Sequence, residues 1–90
     1  MALTWDEAKR ARTLVERRLD FADAGIVFAG PTLTLPDARQ DYGEMRQQTY
    51  GLLHERLVML VWTERATDRH IISMRKCNDR EYARFLDRLG

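Results

Sequence analysis

The stretch LVMLVWTERATDRHIISMRK, residues 57–76, reads as two neighbouring strands. Residues 57–62 are an unbroken apolar run rich in β-branched and aromatic side chains, too short for an ordinary helix and apolar on both faces, which is the pattern of a central strand. The chain then turns through Ala66-Thr67-Asp68 and returns as residues 69–76, where Ile71 and Ile72 sit among polar neighbours. A hairpin is the simplest reading. It collects Thr63, Glu64, Arg65, Arg69 and His70 at one end, and it implies a small α+β domain with a polar site there.

Helical patterns flank this hairpin. Thr4 followed by Glu7 fits a capping box, and Ala8, Ala11, Leu14 and Val15 then share one face, so a first helix is predicted over about residues 5–18, packed through that stripe. Asp20 caps a second, shorter helix with Phe21, Ala24, Gly25 and Phe28 on one face, stopped by Gly30-Pro31. Residues 32–35 alternate as a short strand. The following loop carries Asp37, Arg39, Asp41, Tyr42 and Glu44, and a loop this long in so small a domain is either functional or loose. Residues 45–53 read as the strand that enters the hairpin through a turn at His54-Glu55-Arg56. Asn78 and Glu81 form a second capping box, after which Tyr82, Phe85, Leu86 and Leu89 repeat at helical spacing and leave Arg80, Arg84 and Arg88 as a solvated row.

Ninety residues make one domain, 1–90, that buries only roughly 60% of its unfolded surface. Fifteen Lys and Arg against fourteen Asp and Glu give a net charge of +1, so any anion site has to come from local arrangement rather than global charge. All cations but Lys9 and Lys76 are arginine, which suits bidentate phosphate contacts and equally reflects a GC-rich coding sequence. Cys77 stands alone, the N-terminal MALTWDEAKRARTL lacks a basic segment followed by an apolar core, and no apolar run approaches a membrane span; a cytoplasmic location without a membrane partner is expected. Two separated histidines make no zinc site, Asp37, Asp41 and Glu44 lack calcium-loop spacing, and no phosphate-cradling glycine motif is present, so neither metal nor cofactor is expected. Cys77 is read as a buried structural thiol, and Trp5 and Trp62 as core residues.

Counting three-residue turns sets Arg46 opposite Glu64, Glu64 opposite His70, and Arg65 opposite Arg69. One face then carries Val58, Leu60, Trp62, Tyr50, Leu52, Ile72 and Met74 under the helices, with Arg46, Glu64 and His70 as a polar row at its end. The other face carries Gln47, Thr49, Thr63, Arg65, Arg69, Ser73 and Arg75 and is expected to lie open as a phosphate-binding surface. Glu64 beside His70 fits general-base chemistry and fits a salt bridge tying strand ends together. His70 fits a proton carrier and a satisfied histidine at the edge of the core.

The segments WDEAKRARTL, LDFADAGIVF, PDARQDYGEMR, VWTER and RHIISMRKCNDREYARF, in this order, resemble the BrnT family of bacterial toxins, above all in D-x-R-x-x-Y-G-E-x-R followed by T-E-R and I-I-S-x-R-K. The resemblance implies a RelE-like α+β fold with two N-terminal helices, an antiparallel sheet of three to four strands and a C-terminal helix. It implies the toxin of a type II toxin-antitoxin system, a metal-independent endoribonuclease that cleaves RNA and inhibits translation, its RNA partner being mRNA, free or ribosome-associated. It implies too a hetero-oligomer with a BrnA-type antitoxin that represses its own operon. The family's motif positions fall on Arg46, Glu64, Arg65, His70, Ser73, Arg75 and Lys76, with His70 where many relatives carry arginine. Glu64, Arg65, His70 and Arg75 are thus the candidate catalytic residues, and Arg46, Arg69, Ser73 and Lys76 the candidate RNA contacts. This chain departs from the resemblance at Glu16-Arg17-Arg18, where relatives often read Lys-His-Gly, and at Phe85, where they commonly have tyrosine. The alternative reading is a non-catalytic RNA- or protein-binding module acting only within an autorepressor complex.

Overall fold

The apolar run does become the middle strand of a five-stranded sheet, in a computed structural model that describes residues 1–90. In chain order the elements are β1 (Leu3–Trp5), α1 (Glu7–Arg17), a 3-10 turn (Phe21–Asp23) running into α2 (Ala24–Ala29), β2 (Thr32–Pro36), β3 (Gln47–Leu53), β4 (Arg56–Arg65), β5 (Asp68–Lys76) and α3 (Asp79–Phe85), closed by a 3-10 turn (Leu86–Arg88). The strand order is β1-β5-β4-β3-β2, with β1 parallel to β5 and the other pairs antiparallel. The sheet is therefore mixed and one strand larger than expected. The extra strand is the segment that resembled a capping box: Thr4 pairs with His70 in the sheet, and Asp6 caps α1 by accepting from the Ala8 and Lys9 amides.

Both hairpin turns are a residue shorter than expected. His54 and Glu55, with φ of 49° and 69°, make a two-residue turn that sets Leu53 against Arg56. Paired positive φ values match the twist of the flanking strands. Ala66, at φ 54°, begins the second two-residue turn and sets Arg65 against Asp68. A one-residue slip moves every affected side chain to the other face. Tyr50, Leu52 and His70 accordingly lie on the opposite face from Val58, Leu60 and Trp62, whereas Gln47, Thr49, Arg69 and Ile71 join it. A bulge in β5 near Ile72, opposite Val61 and Trp62, restores the expected pairing of Leu60 with Met74 and Met59 with Arg75.

Neither face is fully open. On one, α2 and its preceding turn bury Phe21, Ala24 and Val27 against Val58, Leu60, Ile71 and Met74. On the other, the C-terminal segment packs Phe85 against Tyr50, ring centroids 4.1 Å apart, over Leu57, Met59, Val61 and Cys77. Burial pushes the Cys77 thiol up to about 11, as expected of a structural cysteine. The α3 capping box forms as predicted.

Helix α1 buries none of its residues, and its apolar stripe faces outward, with Val15 78% and Leu14 43% exposed. It is held instead by polar contacts. Arg10 clamps Asp20 at 2.7 and 3.1 Å, and Arg17 donates to the Met74 carbonyl at 3.0 Å.

Candidate functional site

The loop between β2 and β3 is a built structure. The Asp37 amide donates to the Arg46 carbonyl at 2.8 Å and closes its base, while the buried Asp37 carboxylate accepts from the Arg39 guanidinium in two bonds of 2.8 Å. That guanidinium holds the Asp37 carboxyl down at about 2. Gly43, at φ 72°, makes the reversal, and its amide donates to Asp41. The loop is pinned to the sheet where Thr63 donates to the Met45 carbonyl at 2.6 Å. Asp37, Arg39, Tyr42, Gly43, Glu44 and Arg46 of the D-x-R-x-x-Y-G-E-x-R run thus have one common effect: they deliver Glu44 and Arg46 to the end of the β4–β5 hairpin.

Two guanidinium groups converge there on one carboxylate. Arg46 Nε donates to Glu44 at 3.2 Å and its guanidinium lies 4.0 Å from the Tyr42 ring centroid, while Arg65 approaches the other Glu44 oxygen at 3.7 Å. The Arg65 contact is too long for a hydrogen bond, and the side chain stays 56% exposed. Beside them His70 Nδ1 lies 2.8 Å from the Thr4 hydroxyl. Burial first, and then the charge of Arg65, lower the His70 pKa from its ordinary value and so favour the neutral imidazole. An imidazole, one held and one loosely paired guanidinium, and a carboxylate are groups able to move a proton beside a phosphate and to bear the charge that develops on it.

The other expected site residues are distributed differently. Glu64 pairs with Arg69 rather than His70 and projects to the α2 side, so the Arg46–Glu64–His70 row does not form. Arg69 does not face Arg65: its guanidinium sits 4.0 Å from the Phe28 ring centroid and 5.1 Å from that of Trp62, on the helix-covered face. Arg75 is on the same face as Arg65 but pairs with Met59, six residues along β4 and so roughly 20 Å away. Its guanidinium is chelated by Glu81 at 2.8 and 2.7 Å, the carboxylate that also accepts the Asn78 amide. Ser73 lies between these two ends on that face, opposite Val61, and Lys76 is exposed opposite Val58.

Glu44 and Thr4 were not marked as site residues in the sequence. Glu44 carried a signal, its place in the motif beside Arg46; Thr4 carried a misleading one. The hairpin end also borders a cleft of about 310 Å³ lined by Met1, Glu44, Met45, Gln47, Trp62, Thr63 and Glu64. No group of three or more His, Cys, Asp or Glu is placed to hold a metal ion, and no helix is long and apolar enough to cross a membrane.

A family model described as "Ribonuclease toxin, BrnT, of type II toxin-antitoxin system" matches residues 5–81, a span that includes the loop, the hairpin and the start of α3. Comparison with curated proteins gives no match.

Proposed function

The chain belongs to the BrnT family of ribonuclease toxins of type II toxin-antitoxin systems, and from that premise we propose that it cleaves RNA at the end of the β4–β5 hairpin by activating a ribose 2′-hydroxyl, without a metal ion. The observation that carries this reading is the convergence of Arg46 and Arg65 on Glu44 beside His70, whose Nδ1 lies against the Thr4 hydroxyl. Where Thr4 accepts from His70 Nδ1–H, the Nε2 lone pair is free to take the 2′-hydroxyl proton. The 2′-oxygen then attacks the adjacent phosphorus, the bond to the 5′-oxygen breaks, that oxygen leaves with a proton from solvent water, and the His70 imidazolium afterwards returns its own proton to solvent. The products are a 2′,3′-cyclic phosphate and a 5′-hydroxyl.

Arg65, loosely held and exposed, turns from Glu44 to the phosphate as charge builds in the transition state. Arg46 is fixed by Tyr42 and Glu44, so it positions the backbone, and Ser73 offers a hydroxyl farther along the same face. Glu64 and Arg69 lie on the other face and take no part in the proton transfer, and Arg75 ties β5 to α3. The partner antitoxin is of the BrnA type, and the complex represses its own operon. The test is RNA incubated with the purified protein in EDTA and resolved on a denaturing gel with end-group analysis. New ends carrying 2′,3′-cyclic phosphate support cleavage. Protection without new ends supports the binding-module alternative, which the internal pairing of Arg75 with Glu81 favours by removing one phosphate ligand.

A further inference from the structure

The cleft beside the hairpin end has a lining that a phosphate site would not have. Among its polar groups is the Glu64 carboxylate, which no ion pair neutralises and which repels a phosphate, and its apolar wall is made of Met1, Met45 and Trp62. Apolar walls with a few convergent polar groups are the form of a site for a small, flat, partly polar molecule, and exposed nucleobases are read in that way, by apolar contact with their faces and hydrogen bonds along their edges. The wall is rigid. Trp62 donates to Thr49 at 2.8 Å and is braced by Phe28, edge to face at 5.7 Å, and by Arg69. Glu64 appears in none of the chain's six ion pairs, although Arg69 is its cross-strand neighbour. Its neighbour in the cleft, Gln47, opposes Trp62 across the β3–β4 pair.

We infer that this cleft is a nucleobase pocket selective for guanine, with the Glu64 carboxylate accepting N1–H and N2–H and the Gln47 amide donating to O6. Guanine alone presents two adjacent donors to a carboxylate, next to an acceptor. Adenine and cytosine set a ring-nitrogen lone pair against it, and uracil flanks its single N–H with two carbonyl oxygens, so each of the three meets repulsion as well as a lost bond. Glu44 lines the cleft and also holds Arg46 and Arg65, so a guanosine seated here places its own phosphate beside the groups of the proposed cleavage site. The inference rests on the ribonuclease reading for its role, but its test does not depend on cleavage.

The experiment titrates the intact protein with guanosine, inosine, adenosine, cytidine and uridine 3′-monophosphates and follows the Trp62 indole N–H and the Gln47 side-chain amide by NMR. The expected result is guanosine bound at least tenfold more tightly than adenosine, cytidine or uridine, with inosine, which lacks the N2 amino group, intermediate. In Glu64→Gln, an exposed position, the preference for guanosine is lost. Equal binding of guanosine and adenosine monophosphates, or a preference that survives Glu64→Gln, overturns the pocket. A protein that cuts RNA yet shows no preference overturns the pocket alone, and one that takes guanosine through Glu64 but leaves RNA uncut supports the pocket and overturns the ribonuclease mechanism.

Discussion

Replacing Arg65 and Arg75 separately by alanine tests the division of roles in the proposed mechanism, because the two arginines share a face but differ in how they are held. The Arg75–Glu81 pair has two charge-assisted bonds of 2.8 and 2.7 Å, with Glu81 largely shielded and Arg75 36% exposed. Bonds to charged groups contribute about 1.5–3 kcal/mol when well shielded, and solvent screening at the exposed guanidinium brings the pair down to about 2 kcal/mol. For a domain of this size that is a fall in Tm of roughly 8–12 °C. The α3 capping box survives, since Asn78 and Glu81 still bond reciprocally, so Arg75→Ala folds and cleaves RNA within a few-fold of the parent at 20 °C. Arg65 makes only one ion contact, at 3.7 Å, so its loss leaves Tm within about 2 °C. Losing its charge in the transition state costs about 3 kcal/mol, a hundredfold or more in rate. Thermal melts by circular dichroism and initial rates on a labelled oligonucleotide measure the two axes. If Arg75→Ala lost a hundredfold in rate at unchanged Tm while Arg65→Ala remained active, the assignment of roles would be refuted.

Other perturbations have equally definite outcomes. As a base, His70 acts when neutral. Its pKa is lowered by burial and then by Arg65, so kcat/KM rises with pH with an inflection below that of a free histidine, and in Arg65→Gln the residual rate has its inflection at higher pH; a parent inflection above that of a free histidine contradicts this. Ala66→Gly relieves a positive φ of 54° and raises stability by about 0.5–1 kcal/mol after the unfolded-state entropy of glycine is counted, which urea titration detects. Gly51→Ala puts a methyl 2.6 Å from Val27 Cγ1, where β3 passes under α2, and lowers stability by about 1–3 kcal/mol in the same assay.

The elements were largely legible because their signals are local. The apolar run of β4, the Asp20 and Asn78 caps and the alternation of β2 all act over a few residues, and all are found in the structure. What failed was non-local or ambiguous. Thr4 and Glu7 fit a cap, but Asp6 is the better placed acceptor, and the freed segment gains more as an edge strand on β5. His54-Glu55 and Ala66-Thr67 lack the glycine or asparagine that announces a two-residue turn, so the register slipped and carried His70 and Arg69 to the wrong faces. The bulge near Ile72 then returned Ser73, Met74 and Arg75 to their expected sides. Helix α1 shows the limit of periodicity: its stripe of Ala8, Ala11, Leu14 and Val15 looks like a core face, yet the Arg10–Asp20 ion pair and the Arg17 bond to the Met74 carbonyl hold the helix down. At the candidate site, Arg46, Arg65 and His70 were singled out through the motif, whereas the convergence of the two arginines on Glu44 depends on a loop whose path no spacing rule specifies.

The location of the chemistry is tested most directly by binding an RNA oligonucleotide made uncleavable by 2′-deoxy substitution at the scissile nucleotide and mapping its contacts by NMR. The account predicts the largest shifts at Arg46, Arg65 and His70, with the Glu44 loop moving alongside, and small ones at Arg75 and Lys76. Shifts centred on Arg75 and α3, with the hairpin end undisturbed, would contradict it.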